Sequence, residues 1–334
     1  MTNPILVEVL RGGRVESRHR GSVAVVESSG KTVLAMGDVD GLVYPRSAVK
    51  ALQALPFIES GAAERFGLTQ AEIAISCASH NGEPLHAATS ASMIQKAGLS
   101  PAALECGAHW PLSQPAAREL AKSGTPTALH NNCSGKHAGF LCLACAIDEN
   151  PQGYVARSHI VQREVRAAME QVTGANLTDD FCGTDGCSIP TFGLPLRALA
   201  HGFAKFGTGQ GLDAKRAQAA KTLRNAVAAH PFMIGGTNNF DTDVMEVLKA
   251  KAFVKFGAEG VYCASFPEQG LGIALKCDDG AARAAEMMMA AVIRKFLPLI
   301  DSETAALASR FAPSMINWNG IEVGQMRAAG ELVN

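Results

Sequence analysis

Ile5-Leu-Val-Glu-Val-Leu10-Arg-Gly-Gly13-Arg-Val15-Glu-Ser-Arg-His19 opens the chain as two apolar-patterned runs about a glycine turn. Residues 5–10 and 15–19 read as strands of a hairpin, because Arg11-Gly12-Gly13 supplies the positive φ that a tight reversal needs. A second hairpin follows, with strands 23–27 and 32–36 about Ser28-Ser29-Gly30. The pattern returns at the far end: 252–256, 260–265 and 272–277 read as strands, with Gly257 and Pro267-Glu-Gln-Gly270 as punctuation. A long Ala/Met helix over 281–296 and a short segment at Ile321-Glu-Val323 close the pattern.

Between these ends the periodicity is helical. Helices are expected from about Pro45 to before Pro56, and over 58–66, 84–97, 115–123, 136–146, 154–173 and 214–229. Residues 72–76 read as a short apolar strand or buried segment, and 79–83 as a polar turn. Strands at both ends and helices between them predict an α/β (α+β) fold, in which the terminal strands form one antiparallel sheet with helices packed on it. The expectation is one catalytic domain over 1–334, with a sheet lobe (about 1–40 and 250–334) and a helical lobe (about 41–249).

Composition narrows the function classes. Of 334 residues, 47% are apolar and 18% charged, and the formal net charge is −1. That balance suits a compact core and argues against nucleic acid as a partner. No apolar run is long enough to span a bilayer. No export signal is read at Met1-Thr-Asn-Pro-Ile-Leu6, so the nine cysteines point to a reducing cytoplasm.

The chemistry lies in three stretches flanked by Gly, Pro or Asn: Ser47-Ala-Val-Lys50, Ser79-His80-Asn81-Gly82 and Lys255-Phe256-Gly257. In a helical stretch, Ser47 and Lys50 share a face, and a neutral lysine can take the proton of an attacking hydroxyl. Ser-x-x-Lys alone is more often an ordinary solvated helix face. Here the serine is expected at a helix start, where backbone N–H groups favour an oxyanion, after the loop Gly41-Leu-Val-Tyr44-Pro45-Arg46. Arg46 is placed to hold a substrate carboxylate. Lys255 is the second cation that would help keep Lys50 neutral. Ser79 reads as a proton shuttle or second nucleophile, with His80 and Asn81 as donors to a substrate carbonyl; the alternative is a self-capped Asx turn.

A further constellation is His130-Asn131-Asn132-Cys133-Ser134-Gly135-Lys136-His137, joined later by Asp185-Gly186-Cys187. Thiolates beside Asp and His suit a soft metal, although the spacing matches no zinc-finger pattern. By residue type alone, His137 is favoured over Lys136 as a ligand. Cys142-Leu-Ala-Cys145 lies in an apolar helix and reads as core. The loop from His230 to Asp241 is polar enough to wall a pocket, with no step assigned to it.

Six ordered blocks together resemble the rhizobial-type (class 3) L-asparaginases of the asparaginase II family. They are Tyr44–Lys50, Ser76–Glu83, His130–His137, Thr184–Pro190, His230–Thr242 and Lys255–Gly260. The resemblance implies a serine β-lactamase/glutaminase-like fold, a catalytic pair Ser47–Lys50 and a second pair Ser79–Lys255. It also implies a zinc ion held by Cys133, Lys136 and Cys187, with Asp185 near the metal's water. Lysine must then bind as a neutral amine. A homodimer is implied by the resemblance alone. The expected reaction is hydrolysis of L-asparagine to L-aspartate and ammonia through an acyl-serine. Its rivals are an L-glutaminase of the same chemistry, one methylene away, and a non-catalytic zinc- or amino-acid-binding protein.

Overall fold

The computed structural model describes residues 2–333 and carries an eight-stranded antiparallel sheet. Its strands are β1 (Ile5–Arg11), β2 (Arg14–Glu27), β3 (Thr32–Met36), β4 (Phe253–Gly257), β5 (Val261–Phe266), β6 (Leu271–Cys277), β7 (Ser314–Ile316) and β8 (Glu322–Ala328). The order is β7-β8-β1-β2-β6-β5-β4, with β3 also on β2. Both chain ends thus contribute to one sheet, as the sequence pattern predicts, and residues 41–249 supply most of the helices.

The two expected hairpins share one long strand. Segments 15–19 and 23–27 run together through Arg20-Gly21-Ser22 as β2. The first half of β2 pairs with β1 and the second with β3, while β6 lies along its other side from Gly21 to Glu27. Glycine is required at the crossover, because a Cβ on Gly21 would sit 2.4 Å from Lys276 O.

Helices cover both faces of the sheet centre. A Cβ on Gly272 would lie 2.0 Å from Ala200 O, so helix Leu196–Thr208 rests directly on that face. A Cβ on Gly21 would meet the Met288 side chain at 3.1 Å, on helix Ala282–Phe296. Gly21 pairs with Cys277 and Gly272 with Val26. Cys277 and Gly272 are an odd number of residues apart on one strand, so the two helices lie on opposite faces. β5 is therefore buried at every position and β6 at nearly every one.

Several local expectations are corrected. Residues 72–76 are a buried segment, one of the two alternatives, and not a strand. Residues 72–75 belong to helix Gln70–Ile75, started by a capping box in which Thr69 and Glu72 each satisfy the other's backbone N–H. The helix expected to stop before Pro56 instead breaks at Ala54 and resumes as Leu55–Glu59, with Pro56 in its first turn, where proline lacks only an N–H the helix does not use. The 58–66 helix is divided at Gly61, whose φ is +77°. The helix expected from 154 starts at Ile160.

Candidate active site

Ser47 lies in a four-residue 3-10 turn, Arg46–Val49, rather than at the first turn of an α-helix. Its three-residue repeat still sets Ser47 and Lys50 on one side. Arg46 immediately before it has a φ of +50°, a left-handed conformation that costs a side-chain-bearing residue energy and is often kept at working sites. The end of β4 seats this turn. A Cβ on Gly257 would approach Pro45 O at 2.6 Å and Ala48 N at 2.9 Å, so only glycine lets Lys255-Phe256-Gly257 pass so close. The Ala48 N–H donates to Pro45 O and is not free for an oxyanion.

Lys50 is buried, and its Nζ is 2.9 Å from Ser79 Oγ, within reach of Ala78 O and 3.4 Å from Asn132 O. The Lys50 amine donates to the Ala78 and Asn132 carbonyls and to the Ser79 hydroxyl. The expected pairing is therefore rearranged: Lys50 meets Ser79, and Lys255 does not. The reason is Asp241. Lys255 Nζ donates to Phe256 O at 2.7 Å and lies 3.6 Å from Asp241 Oδ2, with both side chains buried. Asp241 also accepts from Phe256 N at 2.9 Å and from the Tyr262 hydroxyl at 2.5 Å. Burial brings Lys255 down to about 8; the Asp241 carboxylate opposes this and the Lys50 charge adds to it. Burial likewise raises Asp241, against the pull of Lys255.

Ser79 and Asn81 are tied to the polar loop, as Ser79 N donates to Ile234 O and Asn81 N to Gly235 O. His80 corrects an expectation. Gly82 N donates to its Nδ1 at 3.1 Å, so Nε2 carries the proton and donates to Ser134 Oγ at 2.9 Å. Both nitrogens are engaged, the ring is fully buried, and burial holds it neutral. His80 thus braces the turn and has no donor left for a substrate. Asn81 Nδ2 donates to Thr237 O at 3.2 Å.

The cysteine cluster converges although its members are far apart in sequence. Cys133 and Cys187 are buried, and Lys136 Nζ is 3.0 Å from Cys187 Sγ. The Cys187 thiol, then Lys50 and Lys136, hold Cys133 well below the ordinary thiol range despite burial. Two sulfurs and one amine, the amine neutral, are donor types that zinc accepts, three of the four it takes. His137 turns away, its Nδ1 2.6 Å from the Tyr154 hydroxyl. Asp185 accepts from Arg46 NH2 at 2.9 Å, which lowers its carboxyl although burial opposes. Of the Cys142–Cys145 pair expected in the core, Cys142 is buried and Cys145 only half-buried.

Arg46 Nε is buried without a protein partner. Arg46 lines a cavity of about 440 Å³ with Tyr44, Thr184, Thr191, Glu259 and Lys276. The guanidinium and the Glu259 carboxylate place opposite charges in one cavity. Sequence reasoning missed Asp241 as partner of Lys255; Asn239-Phe-Asp241 at a helix start was the available signal, since Asn239 caps helix Phe240–Leu248.

A family model described as L-asparaginase II matches residues 7–328. No curated protein matches the chain. Among solved structures it is similar to Mglu in its native form in 4.3 M NaCl, at 13% identity over 84% of this chain and 63% of that one, TM-score 0.43. The chain thus spans less than two-thirds of that protein. It is also similar to a β-lactamase from Mycobacterium bovis, at 12% identity over 87% and 94% of the two chains, TM-score 0.38. A D-alanine carboxypeptidase AmpC from Burkholderia cenocepacia shows 12% identity over 79% and 91%, TM-score 0.37.

Proposed function

The chain belongs to the L-asparaginase II family, and from that premise we propose that it hydrolyses L-asparagine to L-aspartate and ammonia through an acyl-serine. Membership supports an amidohydrolase of the L-asparaginase type; the substrate and the roles below are our reading. The observation that carries it is the Lys50–Ser79 contact beside half-buried Ser47, with a second lysine, Lys255, close enough to feel Lys50's charge.

Ser47 is more open than Ser79 and adjoins the cavity residue Arg46, so it is the serine that attacks the side-chain amide carbon. Its proton passes to Lys50, with Ser79 as relay. Lys255 as ammonium supplies the proton with which ammonia leaves. Water then cleaves the β-aspartyl ester, giving a proton to Lys255 while Lys50 returns one to Ser47 through Ser79. The unpartnered Arg46 Nε supports a role on the substrate α-carboxylate, and Glu259 across the cavity suits the α-ammonium. Asn81 stays at the rim of the Ser79 turn. Cys133, Lys136 and Cys187 would hold a zinc ion near Asp185, and its chemistry there would be positive charge that orients the carboxylate-bearing substrate.

The nine free cysteines suit a reducing cytoplasm. Among the described residues no helix is long and apolar enough to cross a membrane. A homodimer belongs to the same reading.

The test is ammonia release from L-asparagine and L-glutamine by the purified chain, beside Ser47→Ala and Ser79→Ala. Release from asparagine, abolished in Ser47→Ala and reduced at least a hundredfold in Ser79→Ala, supports the scheme. Full activity in Ser47→Ala removes it as nucleophile. Release from glutamine alone makes the enzyme a glutaminase. Asparagine binding without any release leaves the binding-protein reading.

A further inference from the structure

On the sheet face under helix Ala282–Phe296 lies a cluster separate from the candidate active site. Cys277 ends β6 opposite Gly21 of β2, and His19 is two residues before Gly21 on that strand. The two-residue repeat puts the His19 and Cys277 side chains on one face. The next turn brings Asp279 to them. His19 Nδ1 is 2.6 Å from Asp279 Oδ2, and Cys277 Sγ is 3.0 Å from Asp279 Oδ1. Ala281 N also donates to Oδ1 at 3.0 Å, and Arg283 NH2 lies 3.4 Å from His19 Nε2. Imidazole nitrogen, thiol sulfur and carboxylate oxygen all lie within 4.8 Å of one another. His19 and Cys277 are buried, while Asp279 reaches solvent.

We propose that His19, Cys277 and Asp279 form a second divalent-metal site that takes a borderline-soft cation such as zinc and is separate from the Cys133–Lys136–Cys187 cluster. The donor types are those zinc prefers: one sulfur, one imidazole nitrogen and one carboxylate oxygen, with a fourth position open to water on the exposed Asp279 side. Two hydrogen bonds that converge on one carboxylate give way to three bonds that converge on one ion. Binding releases the Cys277 thiol proton to solvent and moves the imidazole proton from Nδ1 to Nε2. The cation, thiolate and carboxylate then balance in charge. Arg283, facing an N–H, turns toward Glu16, whose carboxylate already feels its charge.

The site has a structural consequence. A Cβ on Gly260 would come within 2.8 Å of Cys277 Cβ, and one on Gly280 within 2.7 Å of Glu259 Oε2. The metal-bearing turn therefore packs against the turn that carries Glu259, and Lys276, one residue before Cys277, lines the same cavity as Glu259. An ion at Cys277 and Asp279 would brace that cavity wall.

The test counts metal on the full chain. Zinc per chain is measured after dialysis, and cobalt is substituted to read thiolate-to-metal absorption. Wild type is compared with Asp279→Asn, which keeps the turn's hydrogen bond to Ala281, with His19→Gln and with Cys277→Ser. A Cys133→Ser/Cys187→Ser background removes the other sulfur ligands. The expected result is one fewer equivalent in each single variant, and a cobalt–thiolate band in the double-serine background that Cys277→Ser abolishes. Near-ultraviolet circular dichroism shows which variants fold. Should Cys277→Ser or the double-serine chain fail to fold, the stoichiometry of wild type against Asp279→Asn decides. Equal stoichiometry in those two, or a folded double-serine chain without the band, overturns the proposal.

Discussion

The candidate side chains were marked in the sequence by glycine, proline and asparagine, whereas their pairing was not. Ser47 and Lys50 sit three residues apart, yet Lys50 points to residues 78 and 79, a contact set by the packing of two turns. Asp241 was hidden as the partner of Lys255 for the same reason: Asn239-Phe-Asp241 marks a helix start, but nothing in it points to a lysine on a distant strand. Its influence can be measured. Lys255 loses its proton at about 8 because burial outweighs Asp241. If its ammonium delivers the proton to leaving ammonia, turnover falls as pH rises through that value. Asp241→Asn removes the group that raises Lys255, so the alkaline limb of the kcat–pH profile should move to lower pH, by about one unit or more. A limb that stays in place would separate Lys255 from the leaving-group step. Glu286 gives a stability counterpart. Burial and the nearby Asp241 raise it from 4.5 to about 7. Between these values the folded chain holds a proton the unfolded chain has lost, so the group's cost is absent below 4.5 and full above 7. Glu286→Gln should therefore leave the melting temperature unchanged near pH 4.5 and raise stability at pH 8, by on the order of 2 kcal/mol. An equal shift at both pH values would mean the effect is packing.

Elements were readable where a periodic run was long, and misread where it was short. Residues 72–76 are apolar enough for a strand, and the deciding feature was outside them, at Thr69, whose pairing with Glu72 starts a helix. Helix Leu196–Thr208 had helical spacing in Leu196, Leu199, Ala200 and Phe203, but its two glycines hide it; in the structure Gly202 and Gly207 sit where a Cβ would strike Thr173 and Ser265. The same demand for close approach links β4 to the turn that carries Ser47. Gly257→Ala would press a methyl on Pro45 O and Ala48 N and displace Ser47. A shift of roughly 1 Å at a reacting group can cost about a hundredfold in rate, so kcat should fall by that order while the thermal unfolding curve moves by only a few degrees. Wild-type kcat in this variant would show that the turn yields without moving Ser47.

At the scale of the molecule, one sheet joins both chain ends, and its two edges have different duties. Lys255 is on β4 at one edge, while β7 and β8 complete the other, β8 pairing with β1 through Val7–Ala328 to Leu10–Gln325. The pattern of strands at both ends made this closure foreseeable. The pairing order did not follow from it, because strand order depends on which faces the helices cover. Removal of residues 314–334 would take away β7 and β8, uncover Val9 and Leu10, and leave the N–H and C=O groups of β1 as an open edge that invites aggregation. Among the described residues no hydrogen bond or ion pair links Ser47, Lys50, Ser79 or Lys255 to the deleted segment, so the damage should appear as lost soluble protein and a lower, less cooperative melt. The fraction that stays monodisperse should retain specific activity within about twofold, because a domain of one core is either folded or not. Soluble protein that is intact by melting yet inactive would mean that the far edge of the sheet reaches the active site through the strands between them.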